Sequence, residues 1–463
     1  MESLLLIIGV ITYIIISFAI GLWKSKGINL AGFIASRNSI GFWPILLSLV
    51  ATIVGGGMFF GVGQMGYEAG IIGYVIGACY IVGFILLGLA IPKIRKLFEN
   101  KNYLSMIDMV DGEYKSHKTT IAFAIVNFFI FFFILAAQFL VLGTFLNFFA
   151  GVQLTYAILL VAMVVAGLNI IVYSIVGGIK KDIATDVFQM IMIIVGSLLL
   201  ISILFKPATW TSISTLPAIY FTGLGYGAVF LIAAVIFFIP LIFVRFDFWQ
   251  RILAAENEKV ARKAFFVAGP LTFIFYFIFT TIGMYAKSSG IPDAKIATLG
   301  LITQSFSGAF YVIIILAFLA AVMSTVDTAL NVASVSFARL FKREKWTKYL
   351  ETKEHDKDLL KFTKVSAAII GLCSVVVAFI IPNLVDLLVA SFTALLILAP
   401  TTFALLFSKR PNATAAFYSM TFGFIVFIGL ISFIPKEAFV VGVIVSILTY
   451  FIVNKLSKRK LKI

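Results

Sequence analysis

The chain has 463 residues, 62% of them hydrophobic and only 12% charged, with a formal net charge of +16. Soluble domains are about 45–50% apolar and about 25% charged, so this composition, with its many apolar runs of about 20 residues, describes an all-α polytopic membrane protein. Two cysteines (Cys79, Cys373) and two widely spaced histidines (His117, His355) exclude a disulfide framework and a zinc site. No phosphate-binding glycine loop or long soluble stretch is present to carry an ATPase or kinase.

In chain order, about thirteen spans are expected, near 3–23, 43–66, 69–91, 120–148, 155–175, 184–204, 226–245, 264–286, 303–337, 363–381, 384–407, 413–433 and 437–454. The first is too long for a cleavable signal and lacks a small-residue cleavage site. Of the 36 Lys and Arg residues, all but Lys206, Lys287, Lys295 and Lys436 fall in loops on one side. The positive-inside rule then puts the N-terminus outside and the C-terminus in the cytoplasm of a cell-membrane protein. Topology and contact with the lipid bilayer account for the basic excess, with no place for nucleic acid. No obligate protein partner is indicated. The five tryptophans, Trp249 and Trp346 included, lie near span ends or in adjacent loops, where amphipathic rings prefer to sit.

The second span carries Gly55-Gly56-Gly57. Each glycine costs roughly 0.5–1 kcal/mol against alanine in a helix. Either the helix opens there to offer carbonyls to a cation or a solute, or small residues admit a neighbouring helix. The ninth span carries Ser324, Thr325, Asp327 and Thr328 at membrane depth. Hydroxyls there either bond back to their own helix or join freed carbonyls as an oxygen cage. A carboxylate within a span usually faces a water-filled path or a partner, which makes Asp327 a candidate functional group. Asp186 opens the sixth span, as a helix N-terminal carboxylate or as part of an ion path. Gln138 and Asn169 are uncharged polar groups that either cross-link helices or touch a small-molecule solute. Five-span units 2–6 and 7–11 would run in opposite directions, which permits an inverted repeat.

Four segments carry a family resemblance: SIGFWPILLSLVATIVGGGMFFGVGQMGYEAG, GGIKKDIATDVFQMIMIIVG, DFWQRILAAENEKVARKA and LAAVMSTVDTALNVASVSFARLF. In this order the chain resembles the sodium:solute symporter family, which includes proline, pantothenate, sialic acid and sodium–glucose transporters. The resemblance implies one transmembrane domain with the inverted five-plus-five bundle of the leucine transporter. The leading helix and loop would be 1–42, the first repeat 43–204, the second 226–407, and 413–463 peripheral. It implies a Na+ site made by carbonyls of Ala51, Val54 and Ala321 and hydroxyls of Ser324 and Thr325. A second ion, or an ion exit path, would involve Asp186, Ser324, Asp327 and Thr328, with Asp327 standing where some members have serine.

Solute would bind beside Ile53, Gly57, Met58, Gly77 and Gln138. Met58 and Gly77 replace the sugar-contacting Gln and Glu of the sugar carriers, and Ile53 replaces an acid of the proline carriers. An amino acid or small carboxylate is the expected cargo, its carboxylate met by helix-end amides because no Lys or Arg is expected at mid-depth. The expected activity is Na+-coupled import by alternating access, with no enzyme chemistry. The alternative is a proton-coupled symporter using Asp327 and Asp186.

Overall fold

The apolar runs fold into long helices. The structure, a computed structural model, describes residues 2–99, 101, 103–150, 177–380, 391, 393–434 and 438–460. Among the described residues there is no strand, only an isolated bridge between Ile40 and Ala255. The long helices are α1 (Glu2–Ser25), α2 (Phe42–Ile53), α3 (Gly63–Ala69), α4 (Ile72–Glu99), α5 (His117–Ala150) and α6 (Gly178–Leu204). There follow α7 (Ala228–Val244), α8 (Phe246–Ala254), α9 (Glu258–Ser288), α10 (Gly308–Phe341), α11 (Arg343–Thr352) and α12 (Asp356–Ile380). The chain continues with α13 (Ala399–Phe407), α14 (Ala413–Leu430) and α15 (Ala438–Lys460).

Nine helices are long and apolar enough to cross a membrane, and two bent pairs raise the number to eleven among the described residues. The bends are 55° where Phe42–Ile53 meets Met58–Ala69, and 46° where α7 meets α8. They fall in the second and seventh of the expected spans. Of the remaining expected spans, 155–175, with Asn169, lies outside the described residues, and 384–407 does so in part. The described residues thus do not carry the full count of thirteen.

Packing puts the broken second span at the centre. α2 lies against α6, α9 and α10; α10 packs along α6 and α5, and α9 along α4. α14 and α15 pack on each other at the periphery. At one end of the bundle Arg95 ties two loops together. Its guanidinium donates to the carbonyls of Ile252 and Ala255 at 3.1 and 2.9 Å and to Asn38 Oδ1.

Two expectations are corrected here. Trp23 and Trp43 are exposed, as interfacial rings should be, but Trp249 and Trp346 are fully buried. Their indole N–H groups donate to Phe243 O and Asp108 Oδ1, which explains how they tolerate burial. Lys181, Arg245 and Arg251, read from sequence as loop charges, are also buried. α6 starts at Gly178, earlier than expected, and so takes Lys181 into the bundle. α8 turns 46° from α7 with every residue buried, and takes Arg251 with it.

Candidate ion and solute site

α2 ends at Ile53. Val54 leaves helical geometry (φ −79°, ψ 52°), although its N–H still reaches Val50 O at 2.8 Å. The chain re-enters helix as a π turn over Met58–Val62, and α3 follows. A helix C-terminus leaves carbonyls without intrahelical partners and carries partial negative charge. Here that end points into protein rather than water: Ala51 and Val54 are fully buried.

α10 supplies the facing groups. Ser324 Oγ lies 3.0 Å from Ala51 O and 2.9 Å from Ala321 O, and Thr325 Oγ1 lies 3.3 Å from Ala321 O. Ser324 has one hydroxyl hydrogen, so it can serve only one of its two carbonyls at a time. Two carbonyls and two hydroxyls therefore converge from a broken helix and its neighbour. Gly55 permits the approach: a Cβ there would collide with Thr325 Oγ1. The oxygen set suits a hard monovalent cation and carries no formal charge of its own. Ala51, Ala321, Ser324 and Thr325 are brought together as the sequence implies. Val54 stands at the break beside them.

Asp186, Asp327 and Thr328 are close by, but they face bases. Lys181 Nζ donates to Asp327 Oδ2 at 2.7 Å. Arg251 donates to Asp186 Oδ2 at 3.0 Å, Thr328 Oγ1 at 3.0 Å, Thr52 Oγ1 at 2.6 Å and Ser48 Oγ at 2.8 Å. Lys181 and Arg251, expected in loops, thus each hold a carboxylate inside the bundle. A buried carboxylate is tolerated when a base and further hydrogen bonds complete it, and each of these two has a base.

Beside this oxygen set lies a cavity that offers about 90 Å³ to the centres of water-sized molecules. One water needs roughly 10–15 Å³ on that measure, so there is room for a small solute. The wall includes Ile53, Gly57 and Met58 from the broken span, together with Gln138 and Thr325. Thr325 thus belongs to both the oxygen set and the cavity wall. Gln138 is buried, and its Oε1 has no hydrogen-bond partner among the described residues.

Gly77 is not on the wall. A Cβ there would press on the Tyr276 side chain, so this glycine serves close packing while Tyr276 itself lines the cavity. Sequence reasoning also missed Arg245, which lines the cavity at the bend between α7 and α8. Its guanidinium grips Asp247 at 3.1 and 2.6 Å and lies 4.2 Å from the centre of the Phe248 ring. The signal that could have found it is a single Arg-x-Asp directly after an apolar span.

Residues 33–423 match the sodium:solute symporter family. The chain belongs to this family. Among relatives, sodium/glucose cotransporter 1 of Ovis aries is 26% identical over 197 residues, 41% of this chain and 28% of that one. The Mus musculus protein of the same name is 26% identical over 204 residues, 42% and 29% of the respective chains. The matched segment thus spans less than a third of these relatives. A Na+-coupled sialic acid symporter, solved in a substrate-bound outward-open state, shares the fold with a TM-score of 0.78. It is 18% identical, with 97% of this chain and 98% of that one covered. A nucleobase-cation-symport-1 family transporter in a closed conformation aligns with a TM-score of 0.56 at 14% identity, over 93% and 96% of the chains. The family places this chain among membrane transporters rather than enzymes, and its two broken spans are a feature of such folds.

Proposed function

We propose that this symporter-family protein couples Na+ entering a cell to import of a small carboxylate-bearing solute, an amino acid or a monocarboxylate. The observation that carries the reading is Ser324 Oγ of α10 at 3.0 Å from Ala51 O, in the last turn of α2 before its break. In this reading Ala51, Val54, Ala321, Ser324 and Thr325 hold the ion. An ion bridging α2 and α10 stabilises one arrangement of the two helices. Coupling requires that preference, since an ion that binds both states equally shifts nothing. Thr325, shared by the ion oxygens and the cavity wall, links ion and solute occupancy.

Solute binds beside Ile53, Gly57, Met58 and Gln138, and Arg245 meets its carboxylate. Arg is suited to that task because its guanidinium carries five N–H donors, of which Asp247 takes two at 3.1 and 2.6 Å. The expected five-plus-five repeat is supported by the two bends five spans apart. In this reading the protein sits in the cell membrane with its N-terminus outside and its C-terminus in the cytoplasm, as the charge alternation of its loops suggests. The proton-coupled alternative has less support, because Asp186 and Asp327 are each engaged by a base.

The test is uptake into proteoliposomes of labelled amino acids, monocarboxylates, sialic acid and glucose, with and without an inward Na+ gradient. Concentrative uptake of a carboxylate-bearing compound only with the Na+ gradient is expected. Uptake indifferent to Na+, or driven by a pH gradient alone, defeats the reading. Uptake of glucose and none of the acids defeats the proposed cargo alone.

A further inference from the structure

We infer that Lys181 and Arg251 act as tethered cations in the place of a second coupling ion, so that the protein binds a single Na+. The inference rests on the Na+ reading above and concerns the four residues expected to hold a second ion: Asp186, Ser324, Asp327 and Thr328. Three of them already hold a basic nitrogen.

Lys181 Nζ is 2.7 Å from Asp327 Oδ2, with both side chains fully buried. Arg251 Nη2 is 3.0 Å from Asp186 Oδ2 and 3.0 Å from Thr328 Oγ1, again with both charged side chains fully buried. The fourth residue, Ser324, faces the carbonyls of Ala51 and Ala321. A Na+ ion set among these oxygens would have to displace a nitrogen or sit against it, in a buried place where like charges are poorly screened.

A lysine ammonium and an alkali ion make the same demand on such a place, a desolvated positive charge matched by oxygens. The difference is that the ammonium cannot leave. Lys181 on α6 and Asp327 on α10 fit each other, and losing either one alone strands a buried charge. Arg251 joins α8 to α2, α6 and α10 through Ser48, Thr52, Asp186 and Thr328. The two bases thus supply permanently the inter-helix attraction that a second transported ion would supply only while bound.

One more acid borders the group. Asp182 lies 3.4 Å from Lys181, and its Oδ2 has no hydrogen-bond partner among the described residues. Three carboxylates therefore face two bases, and Asp186 Oδ1, like Asp182 Oδ2, has no hydrogen-bond partner among the described residues. The experiment must count ions, and must include Asp182.

The measurement is the number of 22Na+ ions bound per purified, detergent-solubilised protein at saturating Na+, without solute. One ion is expected for the native protein. Lys181→Met, which uncovers Asp327, should gain an ion and bind two. Lys181→Met with Asp327→Asn, which removes the pair together, should return to one. Two ions in the native protein, falling to one in Asp182→Asn, would overturn the inference and leave Na+ coupling intact. A folded Lys181→Met protein that still binds one ion also overturns it. If Lys181→Met does not fold, the counts for the native protein and the double variant decide alone. No bound Na+ in the native protein would instead defeat the functional reading on which the inference rests.

Discussion

Arg245 stands at the bend between α7 and α8, on the wall of the cavity proposed to take solute, and is held by Asp247. Replacing it alone would strand a buried carboxylate, which typically costs about 3–5 kcal/mol. The informative variant is therefore Arg245→Gln with Asp247→Asn, which removes the pair at nearly constant volume. Transport of carboxylate-bearing solutes should fall at least about tenfold in apparent affinity, the ~1.4 kcal/mol expected of a lost charge-assisted contact. The Na+ concentration that stabilises the protein should be unchanged. Solute competition curves on the two proteins check this, and equal affinities would remove Arg245 from the site. The contrast with Ser324 and Thr325 explains what sequence could reveal at this scale. Two adjacent hydroxyls deep in an apolar span are conspicuous on their own. A basic residue near a span end has the same signature in a loop as in the bundle. Only the extra turns of α6 before residue 184, and the inward fold of α8, decide that Lys181 and Arg251 are inside.

At the scale of elements, the break in the second span is the feature on which the site depends. The three glycines made it legible, and the resemblance named the facing helix. The second break was less legible: no glycine run marks it, and its traces are Pro240 within the apolar Ala228–Val244 and the Arg-x-Asp that follows. Gly77 erred the other way: a position that touches sugar in other members here carries no side chain, and Tyr276 fills the space. Gly55 tests the element directly. A valine there would drive its branched side chain into Thr325 and push α2 away from α10. Gly55→Val should therefore abolish Na+-driven uptake while the protein still reaches the membrane. Uptake by this variant at even a tenth of the native rate would mean that the close approach of Gly55 to Thr325 is dispensable.

At the scale of the whole molecule, the broken second span and the bend between α7 and α8 line one cavity, beside the oxygen set of α2 and α10. A layer of buried ion pairs joins elements far apart in sequence. Hydropathy and charge alternation were enough to read the membrane class and most of the spans. They could not reveal this layer, because its charges are paired across elements far apart in sequence: Lys181 with Asp327, Arg251 with Asp186, and Arg339 with Asp108. The central claim is that the carbonyls freed at Ala51 and Val54 and the hydroxyls of Ser324 and Thr325 form one Na+ site. A ligand that binds only the folded protein stabilises it by about 2.7 kcal/mol at one hundred times its dissociation constant. The decisive measurement is thus the melting temperature of the purified protein titrated with NaCl against KCl, for the native chain and for Ser324→Ala with Thr325→Ala. A saturable rise with Na+ alone is expected in the native protein, and its loss in the double variant. An equal Na+-specific rise in both proteins, or none in the native one, would contradict it.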